Sequence, residues 1–133
     1  NGIDIIIGGH PHVIQKTQFD TKKNKLIAYS LGNFVSNQAS TNTDGGMLLE
    51  IELEKVNGKL IINNAFHHLI WVNKPTRKNK KIFEVLPCST YPAQESITNP
   101  NHIFKMKLFI QNARKIMKDN LNVPEKNPAQ VNG

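Results

Sequence analysis

The chain has 133 residues, 38% of them hydrophobic, and a formal net charge of +7 from 17 Lys and Arg against 10 Asp and Glu. This length fits one small globular domain with a modest core. No apolar run is long enough to cross a bilayer and no signal-peptide pattern is present, so we expect no membrane contact by this segment. The single cysteine, Cys88, excludes an internal disulfide, and we interpret it as a small buried residue rather than a nucleophile.

A short β-branched run opens the chain and leads into two glycines. Ile3 and Ile5–Ile7 are too few for a helix and predict a buried strand. Gly8 and Gly9 permit positive φ angles and close backbone approach. The residues that follow are therefore expected at the carboxyl end of this strand.

Those residues are His10, Pro11 and His12. A neutral imidazole binds divalent metal ions without first losing a proton, and the proline between the two histidines stiffens the segment. The pattern alone is a weak signal, and two solvated loop histidines are the alternative interpretation. We treat His10 and His12 as candidate metal ligands and, in an enzyme, as catalytic residues.

A hairpin is predicted directly after the histidines. Val13–Phe19 predicts its first strand, residues 21–25 a polar turn, and Leu26–Tyr29 the returning strand. The hairpin brings Ser30 and Asn33 back towards the histidine loop, so both are predicted at the rim of the same site. Tight-turn formation is the alternative role for Asn33.

The stretches GGHPHVIQ and IAYSLGNFV together resemble the CapA, or poly-gamma-glutamate capsule biosynthesis, family, from Asp4 to about Glu54. Members of that family are similar to calcineurin-type metallophosphoesterases, in which a G-H-x-H motif gives one histidine to each of two metal ions. The resemblance implies that His10 and His12 bind two divalent transition metal ions in a phosphoesterase-type hydrolase. It also implies a role in a bacterial surface polymer, on the extracytoplasmic side or in the cell envelope.

The other metal ligands of such enzymes lie upstream, in Asp- and Asn-His-containing motifs that this chain lacks. The resemblance therefore implies a C-terminal fragment, with residues 1–122 as the end of a metallophosphoesterase-like domain and the missing N-terminal half as its partner. Two ligands leave a catalytic metal site incomplete, so we expect the chain alone to be inactive. Exposed sheet edges could drive dimerisation.

The second part of the chain predicts a longer hairpin. Residues 47–54 alternate apolar and acidic side chains, which is typical of a half-buried strand, and Asn57-Gly58 indicates a two-residue turn. The returning strand, about Leu60 to Val72, carries His67 and His68 on opposite faces, where they cannot share one metal ion. The predicted cross-strand pairs are Leu53 with Ile62 and Leu49 with Phe66.

The remaining segments complete the predicted fold. Lys74–Lys81 is basic but has no interleaved aromatic residue, so we interpret it as a solvated loop and expect no nucleic-acid partner. Residues 82–86 predict a short strand. Asn99-Pro100 begins an amphipathic helix that runs to about Leu121 and covers the sheet, and residues 123–133 form a disordered tail.

The sequence thus predicts an α/β fold, the C-terminal half of a metallophosphoesterase-like sandwich, built mostly from antiparallel hairpins with one C-terminal helix. Two functions stay open. One is the metal-dependent enzyme, acting on an anionic polymer or a similar substrate. The other is a non-catalytic polyanion-handling or assembly module of the envelope, in which the basic charge balance matters more than metal.

Overall fold

The computed structural model describes residues 2–90, 97–120 and 122–126. In chain order the described elements are strands β1 (Ile5–Ile7), β2 (Thr17–Asp20), β3 (Lys25–Ala28), β4 (Gly45–Val56), β5 (Lys59–Asn73), β6 (Thr76–Arg77), β7 (Lys80–Lys81) and β8 (Glu84–Pro87), a 3-10 helix (Cys88–Thr90) and helix α1 (Pro100–Met117). Mixed sheets with antiparallel strands and one α-helix agree with the predicted α/β fold class. No helix within these ranges is long and apolar enough to cross a membrane.

The first sheet has the strand order β1-β3-β2. Strands β2 and β3 pair antiparallel, which confirms the predicted hairpin, although β2 begins at Thr17 rather than Val13. Strand β1 pairs parallel with β3, with Ile5 opposite Leu26. Because the carboxyl ends of parallel strands meet at one edge, the histidine loop after β1 lies beside the turn after β3.

Strand β1 is less buried than predicted. Ile6 is 48% exposed and Ile7 is 52% exposed. A parallel strand is apolar on both faces when neighbours cover it, but β1 has β3 as its one described neighbour and lies at the sheet edge. Its β-branched side chains therefore cover little core, and Ile5 is the one that packs beside Leu26 and Phe19.

The second sheet has the order β4-β5-β8, and its first pair is the predicted long hairpin. Asn57 and Gly58 have φ angles of 49° and 79°, as a two-residue type I′ turn requires. The pair Leu53–Ile62 is confirmed. Leu49, however, lies opposite His67 rather than Phe66, because a β-bulge between Glu52 and Leu53 shifts the register by one residue.

The basic segment is solvated as predicted but is not a plain loop. It forms a small hairpin, β6–β7, whose turn residues Lys78 and Asn79 have φ angles of 49° and 60°. Its members from Thr76 to Lys81 are exposed. The short strand predicted at residues 82–86 is present two residues later as β8.

Helix α1 begins as predicted and ends four residues earlier, at Met117. Asn99 is the N-cap, and its Oδ1 accepts a hydrogen bond from Asn101 N at 2.9 Å. The buried face of α1 packs against Trp71 and Met47 of the second sheet. That face consists of Met106, Phe109, Ile110, Ala113 and Met117.

Residues 123–126, predicted as the start of a disordered tail, form an ordered strap along β5. Val123 is 1% exposed and packs beside Phe19 and Leu26. His67 N donates to Pro124 O at 3.0 Å, and Lys126 N donates to His67 O at 2.9 Å. Burial of one valine and these backbone bonds hold the strap; the rest of the predicted tail, 127–133, lies outside the described residues.

Candidate functional site

The histidine loop is held against β3 by a close backbone approach at Gly8. Gly8 N donates to Ala28 O at 2.8 Å, and Leu31 N donates to Gly8 O at 3.1 Å. A β-carbon on Gly8 would lie 2.3 Å from Tyr29 O, so a larger residue would force the strands apart. Close approach is thus confirmed at Gly8. Gly8 and Gly9 do not adopt the positive φ angles that the sequence allowed. Among the described glycines, Gly32 and Gly58 have positive φ.

His10, Pro11 and His12 form a tight turn at the end of this approach. His12 N donates to Gly9 O at 3.2 Å, which closes the turn. His12 has a φ of +60°, a left-handed conformation that costs an L-residue about 1–2 kcal/mol. Such strain is found where surrounding contacts hold a side chain in one orientation. His10 is exposed on the same turn.

The contact that holds His12 comes from the second predicted motif. His12 Nδ1 lies 2.8 Å from Asn33 Oδ1, across 21 residues of sequence. The Asn33 amide nitrogen donates to Thr43 O at 2.8 Å and to Gln38 Oε1 at 3.0 Å. Because the NH₂ group must face the Thr43 carbonyl, the oxygen of Asn33 faces His12, and His12 Nδ1 carries the proton.

This arrangement is suited to metal ligation by His12. A neutral imidazole that donates from Nδ1 keeps its lone pair on Nε2, and metal-binding histidines usually have such a partner on the other ring nitrogen. Asn33 also forms its turn, since Asn33 N donates to Gly45 O at 3.0 Å. Asn33 therefore has both of the positions considered for it: it forms a turn, and it lies next to a histidine of the loop.

Ser30 lies next to this contact but does not reach the surface. It is fully buried, and its Oγ accepts a hydrogen bond from Gly32 N at 3.3 Å. Its carbonyl accepts from Gln15 N at 3.0 Å. In this geometry Ser30 stabilises the turn that carries Asn33, and its predicted role in substrate binding or at the rim of the site stays a prediction.

The described part of the chain contains no group of three or more His, Cys, Asp and Glu side chains that could hold a metal ion. His67 and His68 point to opposite faces of β5, as predicted. His67 Nδ1 lies 2.9 Å from Val123 O, and His68 Nε2 lies 2.7 Å from Glu50 Oε2.

Burial raises the pKa of the Cys88 thiol to about 12, in agreement with its interpretation as an inert residue.

One further histidine was missed by sequence reasoning. His102 lies in the first turn of α1, and its Nδ1 is 2.7 Å from Asn73 Oδ1 at the end of β5. The one feature of the sequence that could have drawn attention to His102 is its position in the first turn of the predicted helix, directly after Asn99-Pro100. Its partner is 29 residues away in sequence, and no local pattern identifies it.

Three comparisons with known proteins address the family of the chain. A family model described as "Bacterial capsule synthesis protein PGA_cap" matches residues 1–38, which include both the histidine loop and the Asn33 turn. The chain is 47% identical over 62 residues to "Capsule biosynthesis protein CapA" of Bacillus anthracis, covering 47% of this chain and 14% of that protein. It is 43% identical over 54 residues to "PGA biosynthesis protein CapA" of Bacillus subtilis (strain 168), covering 41% of this chain and 14% of that protein.

These matches cover a small part of each relative, 14% of its length, and no solved structure matches the chain. The likeness to a metallophosphoesterase sandwich therefore stays a prediction. The matched segment nevertheless contains the two motifs that meet in the structure at His12 and Asn33. Over this N-terminal segment, the chain is similar to the CapA family of bacterial capsule synthesis proteins.

Proposed function

We propose that this chain carries the two-histidine part of a metal centre in an enzyme of bacterial capsule biosynthesis, located at the cell envelope. The observation that carries the proposal is the contact from His12 Nδ1 to Asn33 Oδ1 at 2.8 Å. The relatives are named for capsule and PGA biosynthesis, which supports a role with an anionic surface polymer.

Each residue of the site has a separate task in this proposal. His10 and His12 would bind divalent transition metal ions, and Asn33 keeps the His12 proton on Nδ1, which leaves the Nε2 lone pair available for ligation. The Thr43 carbonyl and Gln38 keep the Asn33 amide in that orientation. A bound divalent ion would supply Lewis-acid stabilisation and a water molecule of lowered pKa, as in phosphoesterase-type hydrolysis. The further ligands that such a site needs would come from the proposed N-terminal partner half.

A second candidate is a polyanion-handling or assembly module of the envelope that needs no metal. The observation that favours it is the exposed β6–β7 hairpin, which carries Arg77, Lys78, Lys80 and Lys81 on a few residues. A dense positive patch attracts acidic polymers through its field. In this candidate the charge of the hairpin, and not the histidine loop, determines function.

The double substitution His10→Ala and His12→Ala in the full-length protein separates the two candidates. We expect the variant to lose three properties together: bound metal, activity on a model phosphodiester, and capsule formation. Elemental analysis measures the bound metal. His68→Ala is the matched control, because His68 lies in a sheet and binds Glu50. Full metal retention in the double variant would overturn the proposal. Loss of metal with capsule formation intact would favour the second candidate.

A further inference from the structure

The loop that joins the Asn33 turn to β4, residues 34–44, supplies both acceptors of the Asn33 amide, and we call it the acceptor loop. The Asn33 NH₂ group donates to Gln38 Oε1 at 3.0 Å and to Thr43 O at 2.8 Å. Asn33 is buried but Gln38 is exposed, so water competes for the Gln38 contact. The orientation of the Asn33 amide, and with it the position of the His12 proton, therefore depends on what holds this loop in place.

Lys74, directly after β5, holds the part of the acceptor loop that carries the first acceptor. Its Nζ donates to the backbone carbonyl of Gln38, 36 residues earlier in the sequence. Lys81 of β7 adds a second attachment one residue away, from its Nζ to Asn37 Oδ1 at 3.0 Å. The Gln38 part of the loop is therefore attached to two cations that lie far away in sequence.

The same lysine faces the end of the loop that carries the second acceptor, the Thr43 carbonyl. Asp44 directly follows Thr43, and its side chain lines a narrow cavity of about 50 Å³ together with Lys74. Burial lowers the pKa of Lys74, and the Asp44 carboxylate opposes this shift because it favours the charged ammonium. Asp44 Oδ2 also accepts from Trp71 Nε1 at 2.9 Å, which fixes the carboxylate against β5. Lys74 thus joins both ends of the acceptor loop, Gln38 by a hydrogen bond and Asp44 by charge.

We propose that Lys74 is a positioning residue for His12, which it orients through the acceptor loop and Asn33. Lys74 holds the loop, the loop holds the Asn33 NH₂ group, and Asn33 Oδ1 accepts from His12 Nδ1 at 2.8 Å. Without the ammonium, Asp44 loses the cation that faces it, and water replaces the donor to the Gln38 carbonyl. The Asn33 amide is then free to rotate, and His12 populates the tautomer with its proton on Nε2, which leaves no lone pair on that nitrogen. The orientation of the ring stands by itself, and only its consequence for metal binding rests on the proposed function.

The test is the tautomer of His12 in this chain, measured by nitrogen–proton NMR of the histidine rings at about pH 8, above the ordinary histidine pKa. In the wild type the Nδ1–H form should dominate. Lys74→Met removes the ammonium and keeps most of the side-chain volume, so it should shift the His12 ring nitrogens towards the Nε2–H form that a free neutral imidazole prefers. Lys74→Arg retains a charged donor and should keep the wild-type pattern.

Three comparisons separate positioning from general destabilisation. Lys59→Met removes the same charge at the opposite end of β5 and should leave the His12 spectrum unchanged. Gln38→Met, at an exposed position that does not endanger folding, removes an acceptor of Asn33 and should shift the His12 nitrogens in the same direction as Lys74→Met. In an Asn33→Ala background, Lys74→Met should cause no further change, because the residue through which it acts is missing. Absence of a shift in Lys74→Met or Gln38→Met, or an equal shift by Lys74→Met with and without Asn33, would overturn the proposal.

The full-length protein gives the readout that rests on the proposed function. With Zn²⁺ as the probe, Lys74→Met should weaken metal binding by at least about 2-fold, the low end for substitutions that act through a network of contacts. Lys59→Met should leave the zinc affinity unchanged. A His12 tautomer shift without loss of zinc affinity would support the positioning role of Lys74 and overturn the metal-binding role proposed for His12. Loss of zinc affinity without a tautomer shift would overturn the positioning role and leave the metal-binding role standing.

Discussion

At the scale of single residues, two histidines of this chain have the same local arrangement. His12 is oriented by Asn33, and His102 is oriented by Asn73. In each pair the asparagine NH₂ group donates to a fixed oxygen, so the asparagine oxygen must accept from histidine Nδ1. The protonation site of each ring therefore follows from the surrounding hydrogen bonds, and each Nε2 is presented as the free ring nitrogen.

Removing the asparagine from the first pair should weaken metal binding without unfolding the chain. In the full-length protein, Asn33→Ala should lower metal affinity by roughly 10-fold or more, because the Nδ1 proton of His12 loses its acceptor. The measurement is metal titration, with thermal unfolding as the check on folding. Asn63→Ala, at an exposed asparagine of β5, is the control. Loss of stability with metal affinity intact would show that Asn33 only shapes its turn.

At the scale of secondary structure, the β4–β5 hairpin is the largest element of the fold, and its turn is specified by two residues. Asn57 and Gly58 both have positive φ angles. A β-carbon on Gly58 would meet nothing within 4 Å, so the demand for glycine is conformational and not steric crowding by neighbours. The turn can therefore be tested without disturbing the core.

Gly58→Val should destabilise the chain by about 1–2 kcal/mol, because a β-branched residue tolerates positive φ poorly. Gly58→Asn is the matched variant, since asparagine adopts this conformation more readily than most residues, and it should lose less. Urea unfolding of both variants measures the difference. Equal stability of the valine and asparagine variants would contradict the role given to the turn.

The strap at residues 123–126 makes stability depend on pH through His67. Burial lowers the pKa of His67 from its ordinary 6.5, although the hydrogen bond to Val123 O raises it in part. The unfolded chain therefore takes up a proton near pH 6.5 that the folded chain does not. Stability should be fully present above pH 6.5 and should fall as the pH drops through 6.5 towards the lowered folded-state pKa.

The check is urea unfolding on both sides of pH 6.5 for the wild type and His67→Gln. The variant should show a weaker loss of stability at acid pH, because its side chain does not titrate. An identical pH dependence in the two proteins would show that His67 does not carry the effect.

At the scale of the whole molecule, two sheets meet through the turn that carries Asn33. Asn33 N donates to Gly45 O at 3.0 Å, and Met47 N donates to Leu31 O at 2.8 Å, so the start of β4 is fastened to the end of β3. The histidine loop, the Asn33 turn and the loop that leads from this turn to β4 thus lie together at one edge of the molecule. Strand β1 forms the adjoining sheet edge, with Ile6 and Ile7 exposed.

We expect the full-length protein to bind two transition metal ions per chain, and this chain alone to bind them weakly or not at all. The physical reason is the number of ligands: the described residues contain no cluster of three metal-ligating side chains, and two imidazoles leave most coordination positions to water. Elemental analysis after gel filtration of both proteins is the measurement. Tight binding of two ions by this chain would contradict an incomplete site.

The sequence by itself determined the features that depend on neighbouring residues. The Asn57-Gly58 turn, the Asn99-Pro100 helix start and the β2–β3 hairpin were predictable, because turn and cap chemistry acts over a few residues. The meeting of the GHPH and SLGNF motifs was also predictable, since a hairpin returns the chain to its starting edge. Asn33 could thus be named as a neighbour of the histidines, but not as the acceptor for Nδ1.

Only the tertiary structure decided the features that join distant residues. The register of Leu49 depends on a bulge three residues away on its strand, and the strap depends on the contact of Val123 with His67, 56 residues earlier. The orientation of His102 by Asn73 and the exposure of Ile6 likewise depend on which elements pack together. A local pattern contains no information on such partners, because burial and hydrogen bonding across the fold are set by the whole chain at once.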